Sequence, residues 1–423
     1  MRPSELLANI KKGELFANAS VTRDPAKRFG ALLEEFIERY GDERDVNLFS
    51  VPGRSELAGN HTDHNHGRVI ACSVDLEIVA VVAAREDSTV RIKSEGFPED
   101  VVDINEYVTP REDRFGHSDS LIAGVADGFR RRGLAVGGFD AVTSSNVLKG
   151  SGISSSAAFE DMVGTIMSHL YCDGSVDFVK IAMISQYAEN AFFGKPCGLM
   201  DQVACAAGGV VAIDFADPTA PVVEKINFDL TGKGYRLCIV NTGGNHADLT
   251  PDYAAVPAEM KSVAKALGHE VLRECDEDAI IAAIPTLRST LGDRAILRAL
   301  HFMAENRRVY EMKQALLADD FEAYFDGVMA SGHSSFCYLQ NVYTTKNVAE
   351  QGLSLALNLS ERYLKDCKRP TAFRVHGGGF AGTIHAYVPD EDVEGYRAIM
   401  DGVFGEGACH ILSIRPEGAV KLL

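Results

Sequence analysis

Apolar positions recur along the chain with two periods, and each change of period marks an element. Phe29, Leu32, Leu33, Phe36 and Ile37 fall three and four apart, the spacing of one helix face, and the stretch up to about residue 45 reads as helical. Strand-like runs follow at 46–51, 75–84 and 89–94. Helical spacing returns over 121–131, and a strand-like run covers 139–144. Met162, Val163, Ile166, Met167 and Leu170 then mark a helix that opens at a serine-rich segment. A further helix is expected over about 176–193, with Ser175 as its N-cap and Gly194 as its stop. Strands are expected at 209–215 and 235–241, helices from about 255 to 363, and strands at 373–376 and 383–388. Helices and strands mix without strict alternation, which predicts an α+β fold rather than a doubly wound sheet. A chain of 423 residues is long for one core, and a boundary near 205–220 predicts two domains, 1–210 and 211–423.

Composition narrows the functional classes. With 46% hydrophobic and 24% charged residues the chain is ordinary for a globular protein. A formal charge of −18 and the lack of a long basic run exclude a nucleic-acid role. An anionic ligand would have to be held by local donors and a metal, against the global field. Nine scattered cysteines, odd in number and without a C-x-x-C pair, predict reduced thiols and a cytoplasmic location. No apolar signal core opens the chain, and no segment is long and apolar enough to span a bilayer, so no membrane partner is expected.

Four segments carry candidate chemistry. In Lys149-Gly150-Ser151-Gly152-Ile153-Ser154-Ser155-Ser156-Ala157-Ala158, glycines and serines run straight into a helical pattern. Free N–H groups and the helix dipole make such a loop an anion cradle, although a plain capped-helix connection has the same local pattern. No G-x-x-x-x-G-K-[ST] occurs. The one G-x-G-x-x-G match, at Gly377, Gly379 and Gly382, runs into a strand pattern where a dinucleotide site needs a helix. The second segment runs from Gly53-Arg54 through Asn60-His61-Thr62-Asp63-His64-Asn65-His66-Gly67. Its histidines invite a metal reading, but no HExxH pattern supports one, and its polar density equally fits a polyhydroxylated ligand. The third is Glu189 followed by Gly194-Lys195-Pro196-Cys197-Gly198-Leu199-Met200-Asp201-Gln202, where Asp201 is either a loop cap or a base. The fourth is the glycine cluster Arg374-Val375-His376-Gly377-Gly378-Gly379-Phe380-Ala381-Gly382, a hairpin or a close backbone approach.

Together, in order and spacing, the four resemble the galactokinase branch of the GHMP small-molecule kinase superfamily across nearly the whole chain. The resemblance implies an ATP- and Mg²⁺-dependent kinase acting on the anomeric 1-hydroxyl of galactose. It implies that the backbone of Lys149, Gly150, Ser151, Gly152, Ile153, Ser154 and Ser155 holds the nucleotide phosphates, and that Ser156 and Glu189 position Mg²⁺. Asp201 matches the catalytic carboxylate and Arg54 its cationic partner. Asn60, His61, Asp63, Gly198 and Tyr253 match sugar-contacting positions. Three departures stand out: Asn60 replaces a usual glutamate implied to read the sugar 6-hydroxyl, His64 replaces a usual tyrosine, and Ala381 replaces a usual glycine. Galacturonate kinases of plants also lack that glutamate and have histidine after the aspartate. A C6-modified sugar such as galacturonate is therefore the alternative substrate, and a non-catalytic sugar sensor the alternative class. Sequence gives no oligomeric state.

Overall fold

The structure, a computed structural model, describes residues 1–13, 15, 22–147, 154–244 and 249–423. Two helices, α1 (Pro3–Lys11) and α2 (Pro25–Tyr40), precede a long hairpin of β1 (Asn47–Ala58) and β2 (Arg68–Ala84). Then come β3 (Thr89–Ser94), β4 (Glu99–Asp103), α3 (Ser118–Arg131), β5 (Phe139–Ser145), α4 (Ser155–Tyr171), α5 (Phe178–Tyr187), α6 (Met200–Ala207), β6 (Val210–Asp214) and β7 (Val222–Ile226). The remainder comprises β8 (Tyr235–Asn241), α7 (Thr250–Ala266), α8 (Glu277–Thr290), α9 (Asp293–Leu317), α10 (Phe321–Ser334), α11 (Gly352–Leu364), β9 (Ala372–His376), β10 (Thr383–Pro389), α12 (Val393–Phe404), β11 (Cys409–Leu412) and β12 (Val420–Lys421).

The strands form two sheets. In the first the order is β12-β1-β2-β5-β3-β4, with β6 and then β7 added alongside β2. Strand β2 pairs with β1 along one edge and serves two neighbours along the other: Ile78 to Ala84 pair with β5, and Arg68 to Cys72 pair with β6. Its near-continuous apolar sequence follows from burial on both faces. Val79, Val81 and Ala83 pack on α1 and α2 with Phe29, Leu33 and Phe36, while Ile78, Ala80 and Val82 enter the core beneath α3 and α4. That division is the period of two expected of a pleated strand. The second sheet, β11-β8-β10-β9, is antiparallel throughout. One of its faces (Cys238, Val240, Ile384, Ala386) packs beneath α11 and α12, and the other (Leu237, Ile239, Tyr387) meets Tyr324, Phe325 and Val328 of α10.

The α+β expectation matches this architecture. Strands β6 and β7 carry the first sheet past residue 210, and β12 returns to it from the far end of the chain. The changeover from first to second sheet therefore falls between Ile226 and Tyr235. The helix expected over 176–193 is capped by Asp177, whose carboxylate accepts the Lys180 N–H at 2.9 Å. Ser175 instead donates to the Cys172 carbonyl, so it is not the cap. All nine cysteines are free thiols, and among the described residues no helix is long and apolar enough to cross a membrane.

Candidate active site

Arg54 lies within β1 rather than in a loop, and the strand breaks register on either side of it, between Pro52 and Arg54 and between Glu56 and Ala58. Such bulges re-aim side chains. The Arg54 guanidinium meets Asp201, in the first turn of α6, in a two-pronged contact: Nε to Oδ1 at 2.7 Å and Nη2 to Oδ2 at 2.7 Å. Ser154 donates its hydroxyl to the same Oδ2. Burial works to raise the Asp201 pKa, but the charge and hydrogen bonds of Arg54, helped by Ser154, bring it down to about 2. Ser154 precedes α4 in a left-handed conformation (φ 56°), so its side chain serves Asp201 instead of capping its own helix. It is also the first described residue of the candidate phosphate loop. Lys149, Gly150, Ser151, Gly152 and Ile153 lie outside the described residues.

A second constellation adjoins the first. Glu189 sits in a π-helical turn, Ala188–Phe192, that continues α5; single π-turns interrupt helices most often where function demands it. Its Oε1 accepts from Ser156 Oγ at 3.0 Å and from Lys195 Nζ at 2.8 Å, and its Oε2 from Gln202 Nε2 at 2.9 Å. Gln202 also donates to Glu160 at 3.3 Å. Glu160 and its neighbour Asp161 are fully buried, and burial pushes both carboxyls well above their ordinary range. Ser156 and Glu189 thus offer two hard oxygen donors in contact. That is a fitting partial set for Mg²⁺, which takes few protein ligands and completes its shell with phosphate and water. Among the described residues, no three His, Cys, Asp or Glu side chains gather as a metal site, so the histidines of the second motif form none.

The remaining candidates converge from three elements. The Asp63 carboxylate lies so close to Gly198 that a Cβ there would fall 1.7 Å from Oδ2. His61 faces the Gly378 carbonyl with Nε2 at 2.9 Å; that nitrogen carries the hydrogen, since a carbonyl only accepts. Burial lowers its pKa to about 4 and keeps it neutral. Tyr253, on α7, donates its hydroxyl to the Gly379 carbonyl at 2.8 Å and packs edge-on against Phe380. Glycine is needed at 379, where φ is +79° and a Cβ would meet the Asn341 carbonyl at 1.9 Å.

The Asn60 side chain is fully buried, with Nδ2 donating to the Gly377 carbonyl at 2.7 Å and Oδ1 accepting from Asn341 Nδ2 at 2.7 Å, so both ends of the amide meet protein. A cavity of about 660 Å³ beside Phe380 and Ala381, reached by Thr242, Gly244 and Lys346, shares the glycine cluster but includes neither Arg54 nor Asp201.

Sequence reasoning passed over Lys195 and Gln202 as partners of Glu189, and Glu160 as the second acceptor of Gln202. The Asp201-Gln202 adjacency was visible, but nothing local says that the amide turns toward Glu189 and Glu160 while the acid turns toward Arg54.

The sugar-binding signature of galactokinases ("Galactokinase galactose-binding signature") matches residues 34–84, and the "GHMP kinases N terminal domain" matches residues 120–209. A galactokinase of Streptomyces coelicolor is 30% identical over 381 residues, 89% of this chain and 92% of the relative. One of Actinobacillus pleuropneumoniae is 30% identical over 369 residues, 87% of this chain and 91% of the relative. The fold is similar to that of Lactococcus lactis galactokinase complexed with galactose, with a TM-score of 0.77 at 24% identity over 92% of this chain and 98% of that one. It is also similar to Methanococcus jannaschii mevalonate kinase, with a TM-score of 0.60 at 14% identity over 88% and 98%. Fold and site define a small-molecule kinase of the GHMP type. Within that class, the chain belongs to the galactokinase family.

Two expectations follow from the geometry. Gly198→Ala should push Asp63 aside and lower kcat/KM for sugar by roughly 10²-fold, since misplacement of about 1 Å costs that much; steady-state kinetics with a thermal melt as folding control reads it. Asp201, depressed below its ordinary 3.8 to about 2, should show no carboxyl titration above pH 4 by ¹³C NMR. The pair's contribution to stability is complete above 3.8 and is lost as pH falls toward 2. In Arg54→Gln burial acts with less opposition, so the Asp201 titration should move upward.

Proposed function

We propose that the protein transfers the γ-phosphoryl group of ATP to the anomeric 1-hydroxyl of galactose, with Asp201 and Arg54 at the reacting oxygen. The observation that carries this reading is the Arg54–Asp201–Ser154 contact. It joins Ser154 of the phosphate-loop segment to an ionised carboxylate that stands three residues after the Gly198 that abuts Asp63. Phosphoryl transfer asks for alignment and charge neutralisation more than covalent help. The Asp201 side chain remains 29% exposed, so a sugar hydroxyl can reach it. Oδ1 keeps a lone pair beyond the one used by Arg54, whereas both of those on Oδ2 are taken by Arg54 and Ser154. With a pKa of about 2 it is a weak base, and its part is to orient the hydroxyl and to accept the proton only as the new P–O bond forms.

Asp63 and the glycine-cluster backbone supply directed polar groups to the sugar, together with His61 and Tyr253, which hold that backbone at the Gly378 and Gly379 carbonyls. Mg²⁺ would be held by Ser156 and Glu189, and when bound it neutralises charge on the triphosphate. Galactose stands ahead of a C6-carboxylated sugar because Asn60 is enclosed by protein, and its lack of charge then gives no preference at C6. An intact Arg54–Asp201 pair and Ser156–Glu189 pair favour turnover over a sensor role. Two domains, 1–210 and 211–423, belong to this reading, with β6 and β7 extending the first sheet across the boundary.

A sugar panel with ADP release as readout tests the reading. Galactose should give the fastest release, and the product should show phosphorus coupled to the anomeric carbon; coupling to C6 would overturn the assignment. Asp201→Asn should lower kcat by about 10²–10⁴-fold, the span of general-base contributions, with ATP affinity retained. Glu189→Gln and Ser156→Ala should each raise the Mg²⁺ concentration for half-maximal rate, and unchanged titrations in both would remove them from the metal.

A further inference from the structure

The loop between β1 and β2 carries His61 and Asp63, and helix α9 holds it at both ends. At the entry, Glu305 Oε1 accepts the backbone N–H groups of Gly59 at 3.2 Å and Asn60 at 3.4 Å. His301 Nε2 lies 3.0 Å from the Asn60 carbonyl and must carry the hydrogen there; its Nδ1 then accepts from Ser334 Oγ at 2.8 Å. At the exit, Asn306 Oδ1 accepts the Arg68 N–H at 2.9 Å. His301 and Glu305 are four residues apart, so one helix face presents both. Both are fully buried, as is Asn60 between them. Ser331 Oγ at 2.6 Å and Arg308 complete the partners of the Glu305 carboxylate. Within the loop the Thr62 hydroxyl meets the Gly59 carbonyl at 2.9 Å and the Arg68 carbonyl at 2.6 Å, which closes the turn on itself. Gly59 has φ +97°, and a Cβ there would meet the Arg68 carbonyl at 2.5 Å, so the turn is narrow, and α9 anchors it to the rest of the molecule.

We propose that His301 and Glu305 are positioning residues for sugar recognition, gripping the Gly59–Asn60 backbone so that His61 and Asp63 stand where the sugar meets them. They touch neither sugar nor nucleotide. This rests on the sugar-site reading above and deepens it: the second half of the chain, through α9, sets the sugar affinity of a loop that belongs to the first sheet. Loss of the grip lets the loop wander and weakens sugar binding, while Asp201, held by α6 and Arg54, is left in place.

Two conservative substitutions separate reach from charge. Glu305→Asp keeps the charge but withdraws the carboxylate by one methylene; Glu305→Gln keeps the reach and the acceptor oxygen but loses the charge. The expected result is a galactose KM raised ten-fold or more in Glu305→Asp and less than three-fold in Glu305→Gln, with the ATP KM within two-fold in both. A parallel rise in both KM values, or greater harm from Gln than from Asp, overturns the proposal. His301→Phe preserves shape and removes the second grip. An unchanged sugar KM there overturns it whether or not Glu305→Asp folds. Amide hydrogen exchange needs no substrate: Gly59 and Asn60 should lose protection in Glu305→Asp and His301→Phe before the α4 amides do. Retained protection would count against the grip. A wild-type protein that releases no ADP with any sugar would defeat the functional reading instead, leaving the exchange result to judge the grip.

Discussion

The contact between Arg54 and Asp201 organises the site around it. The two residues are 147 positions apart, one on β1 and the other at the start of α6, so their meeting requires the first sheet and its helices to be assembled. A buried aspartate alone would take up a proton; the parallel hydrogen bonds from the guanidinium keep it ionised. The same contact places α6, and through Gln202 the Glu189 carboxylate, against the helix that follows the phosphate loop. Shape, charge and register of the site are thus one problem, solved at one pair.

Other buried charges are disposed by the same rule. Glu56 meets Arg374 across the two sheets at 2.5 Å, and Glu77 meets Arg28 and Arg415 at 2.7 Å each. Taking such charges out of water is expensive, and pairs of this kind earn little net stability over apolar packing. What they contribute is an arrangement that fails badly if shifted, because each misplaced partner would leave a bare charge in the interior. His376 shows the neutral version. Its Nε2 accepts the Glu56 N–H at 3.3 Å, leaving Nδ1 to meet Thr383 Oγ1 at 2.9 Å, and burial beside two arginines holds the ring uncharged.

Much of this was readable in the chain. The period of three to four at Phe29 to Phe36 became the buried face of α2, and the expected strands at 89–94 and 235–241 have the same limits in the structure. Short edge strands were not readable: β4, with Val101 exposed, and β7, with Val222 exposed, have polar patterns that only pairing makes into strands. The four motifs pointed to Arg54, Ser154, Ser156, Glu189 and Asp201, which do come together. The surroundings of Asn60 were not readable, because a signature position says where a residue sits along a strand end, not which way its side chain turns. Its direction is set by Asn341 and Gly377, some 280 and 317 residues away, and no local pattern encodes that.

The returning strand β12 has a bearing on the order of assembly. Val420 and Lys421 pair with Ser50 and Phe49, and Arg415 supplies one of the cations that face Glu77, 338 residues earlier. A nascent chain emerging from the ribosome can lay down β1, β2, β5 and their helices early, yet the β1 edge of that sheet and one cation for Glu77 wait for residues 415–421. Multidomain chains tend to finish their leading part first during synthesis. Here the sheet that carries Arg54 is closed only after the strands of the second sheet have been made.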